Sequence, residues 1–546
     1  MKLHFNQVTD EIGRGISLFT RAEELGISVP SSCNKQGKCK ECVVEIVEGA
    51  EYLSKPGPEE KHLKPPFRLS CCARITADDG SVRCHTMRRG EMKIEKHAFA
   101  LPVQDRKWHL EPAVTRDGDR ILLDGVEIER STGPIHGLAI DIGTTTVVLR
   151  LLNLETGEVI ADSSFENPQR FGGSDVMARI QFDTEDRTRL LQRTLVGYLS
   201  RAIQELPVDP RSIYEVIIAA NSTMRDIFFR LSVYSIGQSP YQSLTELDLA
   251  AGTRTTTSLS ETARRLGLPV HPRARVYGLP IVSGHVGADA AACMLAIDLA
   301  NEERTVAIMD IGTNTELIVG NKHRVLAASC PAGPAFEGGQ ITFGMPGLPG
   351  AIEKVAIDDH GQVHAHVIGE VAPEGICGSG LVDLLSELVR TERMNALGRF
   401  EGPDPFVVAR NGDQEITFSE ADVNALAQAK GANVAGLQIA FSEYGIRYQD
   451  LDVFYLAGGF GRHLNIESSK RIGLIPNIDA AKILQVGNAS VEGACIALLS
   501  VVKRRELEDM IRRVNHCRLE THPGFFDFFV EGCQFAPVEN SLEASS

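Results

Sequence analysis

Two stretches of this 546-residue chain repeat one pattern: GLAIDIGTTTVVLRLLNL at 137–154 and TVAIMDIGTNTELIVGN at 305–321. Each reads as an apolar strand, an Asp, a Gly-Thr turn and a second strand. The glycine lets the backbone turn tightly, so successive N–H groups and threonine hydroxyls can surround phosphate oxygens. One D-x-G-T alone is weak, because a turn with a capping Asp looks the same. Two copies predict two related lobes facing one cleft. Gly143, Thr144 and Thr145 would line one side, and Gly312, Thr313 and Asn314 the other. Asp141 and Asp310, each ending a first strand, are candidates to hold Mg²⁺, mostly through water.

From Gly137 onward strands and helices alternate, which indicates an α/β architecture. IVSGHVGADAAACML at 281–295 reads as a loop entering a helix just before the second hairpin. ICGSGLVDLLSELVR at 376–390 puts Gly378, Ser379 and Gly380 at a helix N-terminus, suited to phosphate or ribose oxygens. VFYLAGGFGRH at 453–463 is an apolar strand ending in Gly458, Gly459 and Gly461, where backbone can closely approach an adenosine. Any one of these loops could be an ordinary turn; their order is the stronger signal. Asp289 and His285 compete as the group that positions an attacking water, and a helix cap is the other reading of Asp289. Glu337, in PAFEGG, is a candidate to reach metal or phosphate, with a solvated loop carboxylate as the alternative.

The N-terminus carries a different chemistry. Cys33, Cys39 and Cys42, in SSCNKQGKCKEC, and a later cysteine in RLSCC supply the four thiolates that a two-iron, two-sulfur cluster needs. A zinc site or inert buried thiols are the alternatives. FTRAEELG reads as a helix and VVEIVEG as a half-buried strand ending in a turn. Adjacent cysteines in an extended segment point to opposite sides, so only one of Cys71 and Cys72 should face a cluster. The other, with Cys84, is read as a small buried hydrophobe.

Composition narrows the partners. A net charge of −16 argues against nucleic acid and against an anionic membrane surface. Twelve cysteines without a signal peptide point to a reducing cytoplasm. The apolar stretch from Ala494 to Val502 is too short to span a bilayer. Residues 1–90 are expected to form the cysteine-bearing domain. Residues 91–135, with Trp108 and a hairpin-like ILLDGVEIE, read as a linker, and residues 136–546 as the two-lobed domain.

The first ninety residues resemble the [2Fe-2S] ferredoxins. The five residues between Cys33 and Cys39 match the adrenodoxin-like branch, whereas plant-type members have four. RLSC resembles that family's R-L-A-C, which selects Cys71 as the fourth metal ligand. Residues 137 to about 502 resemble the acetate and sugar kinase, heat-shock 70 and actin superfamily. DIGTTT, NPQRFGGSDVMARI, NSTM, GHVGAD, DIGTNTE, AGPAFEGGQI, CGSGLVDL, AGGFG and GNASVEGA all resemble the reductive activators of corrinoid proteins.

That resemblance implies an α/β multidomain chain: a β-grasp [2Fe-2S] ferredoxin domain followed by a two-lobed actin-like, RNase H-like duplicated ATPase domain. It implies ATP and Mg²⁺ as cofactors beside the cluster, and ATP-dependent reduction of Co(II) to Co(I). The implied partners are a corrinoid protein of a methyltransferase system and an electron-donating reductase. A homodimer is a further expectation, although the linker is short compared with members that insert a middle domain. Thr315 stands where many relatives carry Gly, which predicts a stiffer second turn. A small-molecule kinase with a regulatory cluster and a nucleotide-binding electron-transfer adaptor remain competing readings.

Overall fold

The computed structural model describes residues 1–33, 35–88, 109–459 and 461–539. The N-terminal sheet contains β1 (Lys2–Phe5), β2 (Val8–Glu11), β3 (Val43–Glu48), β4 (Phe67–Leu69) and β5 (Ser81–Thr86), ordered β2-β1-β5-β3-β4. Its centre is the parallel pair β1 and β5, and the helix Leu18–Glu24 packs across it, giving a β-grasp. Leu3, Phe5, Leu18, Val44, Val82 and Cys84 share its core.

Of the segment expected to be a linker, residues 91–108 with Trp108 lie outside the described residues. The remainder contains a small antiparallel sheet of β6 (Val114–Asp117), β7 (Arg120–Leu123) and β8 (Val126–Arg130). Val114, Ile121 and Ile128 are buried with apolar residues of both lobes.

The repeat is visible in the topology. The first lobe pairs β9 (His136–Ile142), β10 (Thr146–Asn153), β11 (Val159–Glu166), β12 (Ile213–Ala220), β13 (Leu259–Thr262) and β14 (Arg275–Gly278) in the order β11-β10-β9-β12-β14-β13. In the second lobe β15 (Val306–Ile311), β16 (Thr315–Gly320) and β17 (Val325–Cys330) are followed by two small sheets. These contain β18 (Ala351–Ile357), β19 (Val363–Val367) and β20 (Gly375–Ile376), and β21 (Phe406–Asn411) and β22 (Gln414–Phe418). β23 (Val453–Ala457), β24 (Ile483–Gly487) and β25 (Asn515–His516) complete the main sheet, ordered β24-β23-β15-β16-β17-β25. Each lobe thus has three antiparallel strands flanked on one side by two parallel ones, and the inner strands β10, β12, β16 and β23 are nearly continuous buried runs because both faces are covered.

Two helices join the lobes. Ala288–Ala296, from the first, crosses Ala489–Leu499, from the second, where a Cβ on Gly493 would lie 1.9 Å from the Ala292 carbonyl oxygen. Only glycine permits that approach. Of the apolar 494–502 stretch, Ala494 to Leu499 is therefore interlobe packing while Val502 is exposed, and among the described residues no helix is long and apolar enough to cross a membrane.

Candidate functional site

The two repeated hairpins meet. Thr145 Oγ1 lies 2.9 Å from Thr313 Oγ1, and Glu337 Oε2 accepts hydrogen bonds from both hydroxyls, 2.8 Å from Thr145. Glu337 is a bridge between the lobes rather than a solvated loop carboxylate, and burial pushes its carboxyl upward. Thr315, expected to stiffen the second turn, is instead the first residue of β16, paired in register with Ile311. Extended backbone suits a β-branched side chain there.

Asp141 and Asp310 end β9 and β15 as the repeat requires. Asp141 accepts from Asn488 Nδ2 and Ser490 Oγ, both at 3.0 Å, and Asp310 accepts from the Cys293 thiol at 3.2 Å. Burial pushes Asp141 up to about 6, opposed by the Asn488 hydrogen bond and reinforced by the charge of Asp310. Asp289 is driven to about 7 by burial, with Asp141 and Asp310 adding to it. Asp289 is not the cap of its helix: Gly287 holds that position. His285 packs its ring on Tyr241 instead, centroids 5.5 Å apart.

Sequence reasoning missed Glu316, whose buried carboxyl is pushed well up by burial and by the charges of Asp289 and Asp310. A lone acid in the otherwise apolar strand TELIVG was the available signal. These four acids, short of basic partners, suit a divalent cation. Among the described residues no three of these acids come close enough together to hold one ion directly, and Mg²⁺, which keeps part of its water shell, fits such a site.

Three asparagines were also missed, each inside a quoted motif. Asn167, Asn221 and Asn488 accept a backbone N–H at a helix start, from Gln169, Met224 and Val491. Their amide nitrogens donate to the Gly143 carbonyl at 2.7 Å, the Thr144 hydroxyl at 2.9 Å and the Asp141 carboxylate at 3.0 Å. An aspartate would cap as well but has no donor for the hairpin.

The glycine loops differ in role. Gly458 has φ +103°, and a Cβ there would lie 2.4 Å from the Ile311 carbonyl oxygen and 3.0 Å from Asp310. That turn is thus pressed onto the second hairpin. Gly459 is open on its side-chain face, Gly461 makes ordinary contacts, and Phe460 lies outside the described residues. Gly378, Ser379 and Gly380 begin the helix Gly378–Arg390, with Gly380 against the Ile352 carbonyl of β18.

In the N-terminal domain the four expected thiols form two pairs. Cys33 is hydrogen-bonded to Cys39, and Cys42 Sγ lies 3.3 Å from Cys71 Sγ. Two pairs suit two irons, since each tetrahedral iron bridged by two sulfides has room for two thiolates. Sharing a hydrogen lowers Cys42 to about 7 and raises Cys71. RLSC is explained by its contacts: Arg68 forks onto the buried Glu60 carboxylate, and Ser70 donates through both N and Oγ to the Cys42 carbonyl. The expectation that Cys71 and Cys72 point apart fails, because the chain turns there. Their sulfurs are 3.8 Å apart, and Cys72 is only half-buried. Cys84 is fully buried.

This domain is docked on the first lobe. Arg170 pairs with Glu45 at 2.7 Å, while Arg193 donates to Glu41 and to the Cys39 carbonyl, both at 2.9 Å. Phe19, Cys42, Leu69, Cys71 and Met87 share an apolar cluster with Leu195, Tyr198 and Leu199 of the helix Leu190–Gln204.

Three family models match in chain order. They are a 2Fe-2S iron-sulfur cluster binding domain over residues 6–76, the RACo middle region over 136–302, and the C-terminal domain of RACo, the ASKHA domain, over 304–545. A solved structure described as a reductive activator for a corrinoid, iron-sulfur protein aligns with a TM-score of 0.72 and 27% identity, covering 98% of both chains. Along nearly its whole length, this chain is similar to the reductive activators of corrinoid proteins. Among curated relatives, the corrinoid activation enzyme RamQ of Eubacterium limosum is 27% identical over 94% of this chain and 95% of its own. The [Co(II) methylated amine-specific corrinoid protein] reductase of Methanosarcina barkeri is 24% identical over 72% of this chain and 76% of its own. The chain combines a [2Fe-2S] domain with an ATP-binding one.

Proposed function

We propose that this chain is an ATP-dependent reductase that returns the cobalt of an inactivated corrinoid protein from Co(II) to Co(I). The observation that carries the reading is the docking of the thiol-bearing domain on the first phosphate lobe. The short segment from Asn167 to Arg170 touches both the first hairpin and Glu45. The activities for which the relatives are named, aligned over most of both chains, support it.

A bound [2Fe-2S] cluster supplies one electron, near about −400 mV for plant-type centres. In this reading Cys33 and Cys39 hold one iron and Cys42 and Cys71 the other, within residues 1–90. Residues 136–546 bind the nucleotide between their two lobes. Asp141 and Asp310 take Mg²⁺ through water, and the turns Gly143–Thr145 and Gly312–Asn314 surround phosphate oxygens. Gly378, Ser379 and Gly380, with Gly458, Gly459 and Gly461, face the adenosine. Asp289, poised near neutrality, orients the attacking water and accepts its proton. Glu337 fixes the hairpins to each other. ATP can promote an uphill transfer only by favouring an arrangement in which it becomes feasible. A separate reductase recharges the chain after each electron, in a cytoplasm that keeps free thiols reduced.

Coupling through one chain is reciprocal, so a Co(II) corrinoid protein that the chain reduces should shift its affinity for nucleotide. Equal nucleotide affinity with and without that partner would remove ATP from the mechanism.

A further inference from the structure

Arg179 is set apart from the other buried arginines among the described residues. Arg68, Arg150, Arg225 and Arg504 each donate to a carboxylate, namely Glu60, Asp162, Asp226 and Glu215, at 2.7–3.0 Å. Arg179, 1% exposed in the helix Val176–Glu185, donates to the Gly173 carbonyl at 3.0 Å and to the Met224 sulfur at 3.2 Å. Neither neighbour carries charge. Burial pulls the guanidinium down to about 10, opposed by the charges of Asp175 and Glu337, so it remains a cation at neutral pH. A buried charge without a hydrogen-bonded counter-ion costs several kcal/mol.

Its surroundings place it at the hairpins. Met224 lies on the helix capped by Asn221, which donates to Thr144. Gly173 closes the segment that opens with Asn167, which donates to the Gly143 carbonyl. Glu337, the nearer carboxylate to the cleft, accepts from Thr145 and Thr313, hydroxyls that a phosphate would use. Its charge also reaches the Arg179 guanidinium.

We propose that Arg179 binds the terminal phosphate of a nucleoside triphosphate, and so distinguishes it from the diphosphate. This rests on reading the cleft as a nucleotide site. A phosphate chain entering between the lobes ends where the hairpins touch, and its last group carries the charge that Arg179 lacks a direct partner for.

The test compares the Mg²⁺ complexes of a non-hydrolysable ATP analogue and of ADP, by calorimetric titration of the full cluster-loaded chain. R179M should weaken the triphosphate about 10- to 100-fold, the loss expected for hydrogen bonds to charged groups, and leave ADP within about 3-fold. Its unfolding midpoint without nucleotide should be unchanged or higher, because a buried uncompensated cation is gone. R179K should fall between, and R179Q gives the same reading if R179M does not fold. Equal weakening of both nucleotides, no change in either, or a marked fall in midpoint would each overturn the inference. Wild-type protein that binds neither nucleotide would instead overturn the nucleotide site itself.

Discussion

Asn221 illustrates how much one residue type does in this cleft. Its amide oxygen caps the helix Ser222–Phe228 while its nitrogen holds the Thr144 hydroxyl. Asn221→Asp should therefore keep the cap and the fold but lose the donor. Nucleotide affinity should fall about tenfold, as for one lost hydrogen bond in a charged site, with the unfolding midpoint nearly constant. A collapse of the midpoint with affinity intact would reverse that assignment. At the thiols, Cys71→Ser should strip or distort the cluster spectrum and lower the iron content, and Cys72→Ala should leave both intact. The opposite pattern would make Cys72 the ligand, which the 3.8 Å between the sulfurs makes a real contest. Asp289 gives a pH signature. Its carboxyl, raised to about 7 in the fold, keeps its proton to higher pH than an unfolded one near about 4. It therefore withdraws stability as pH rises through that window. In Mg²⁺-free buffer Asp289→Asn should stabilise the protein by roughly 1–3 kcal/mol at pH 8 and hardly at all near pH 4, while ATP turnover falls. Equal stabilisation at both pH values would refute the raised carboxyl.

At the scale of elements, the contact between the thiol domain and the first lobe is the feature least legible in the sequence. Strand alternation in VVEIVEG, the duplicated hairpins and the loop-to-helix entries at 281–295 and 376–390 follow local patterns, and the structure has them. Arg170, Arg193, Glu41 and Glu45 look like ordinary surface charges, since nothing local tells a strand which distant helix it meets. The turn at Cys71 was missed for a related reason. Arg68, Ser70 and their partners Glu60 and Cys42 bend the chain from a distance, overriding the extended conformation that strand β4 suggests. The docking can be tested. Replacing Arg170 and Arg193 together by Ala removes three ion-pair or carbonyl contacts around residues 39–45. Amide exchange should speed up in that loop and in the helix Leu190–Gln204, and the nucleotide dependence of reduction should weaken while the isolated cluster spectrum persists. Unchanged exchange in both segments would show that the apolar cluster alone sets the docking.

For the whole molecule, the first lobe touches both the thiol domain and, through the paired hairpins, the second lobe, so in the proposed mechanism an event between the hairpins would reach the thiol domain through it. The two-lobe architecture was readable because duplication leaves the same Asp-Ile-Gly-Thr in both copies. The acid and asparagine network was not, because Glu316, Asn167, Asn221 and Asn488 are brought together only by the tertiary fold. The most direct test of the account is to pre-reduce the cluster, hold a fixed and mild reductant potential, and add a cognate Co(II) corrinoid protein with and without Mg-ATP while following the Co(I) absorption band. Full Co(I) formation is predicted only with ATP. Equal Co(I) yield without any nucleotide would contradict energy coupling and leave a simple electron-transfer adaptor.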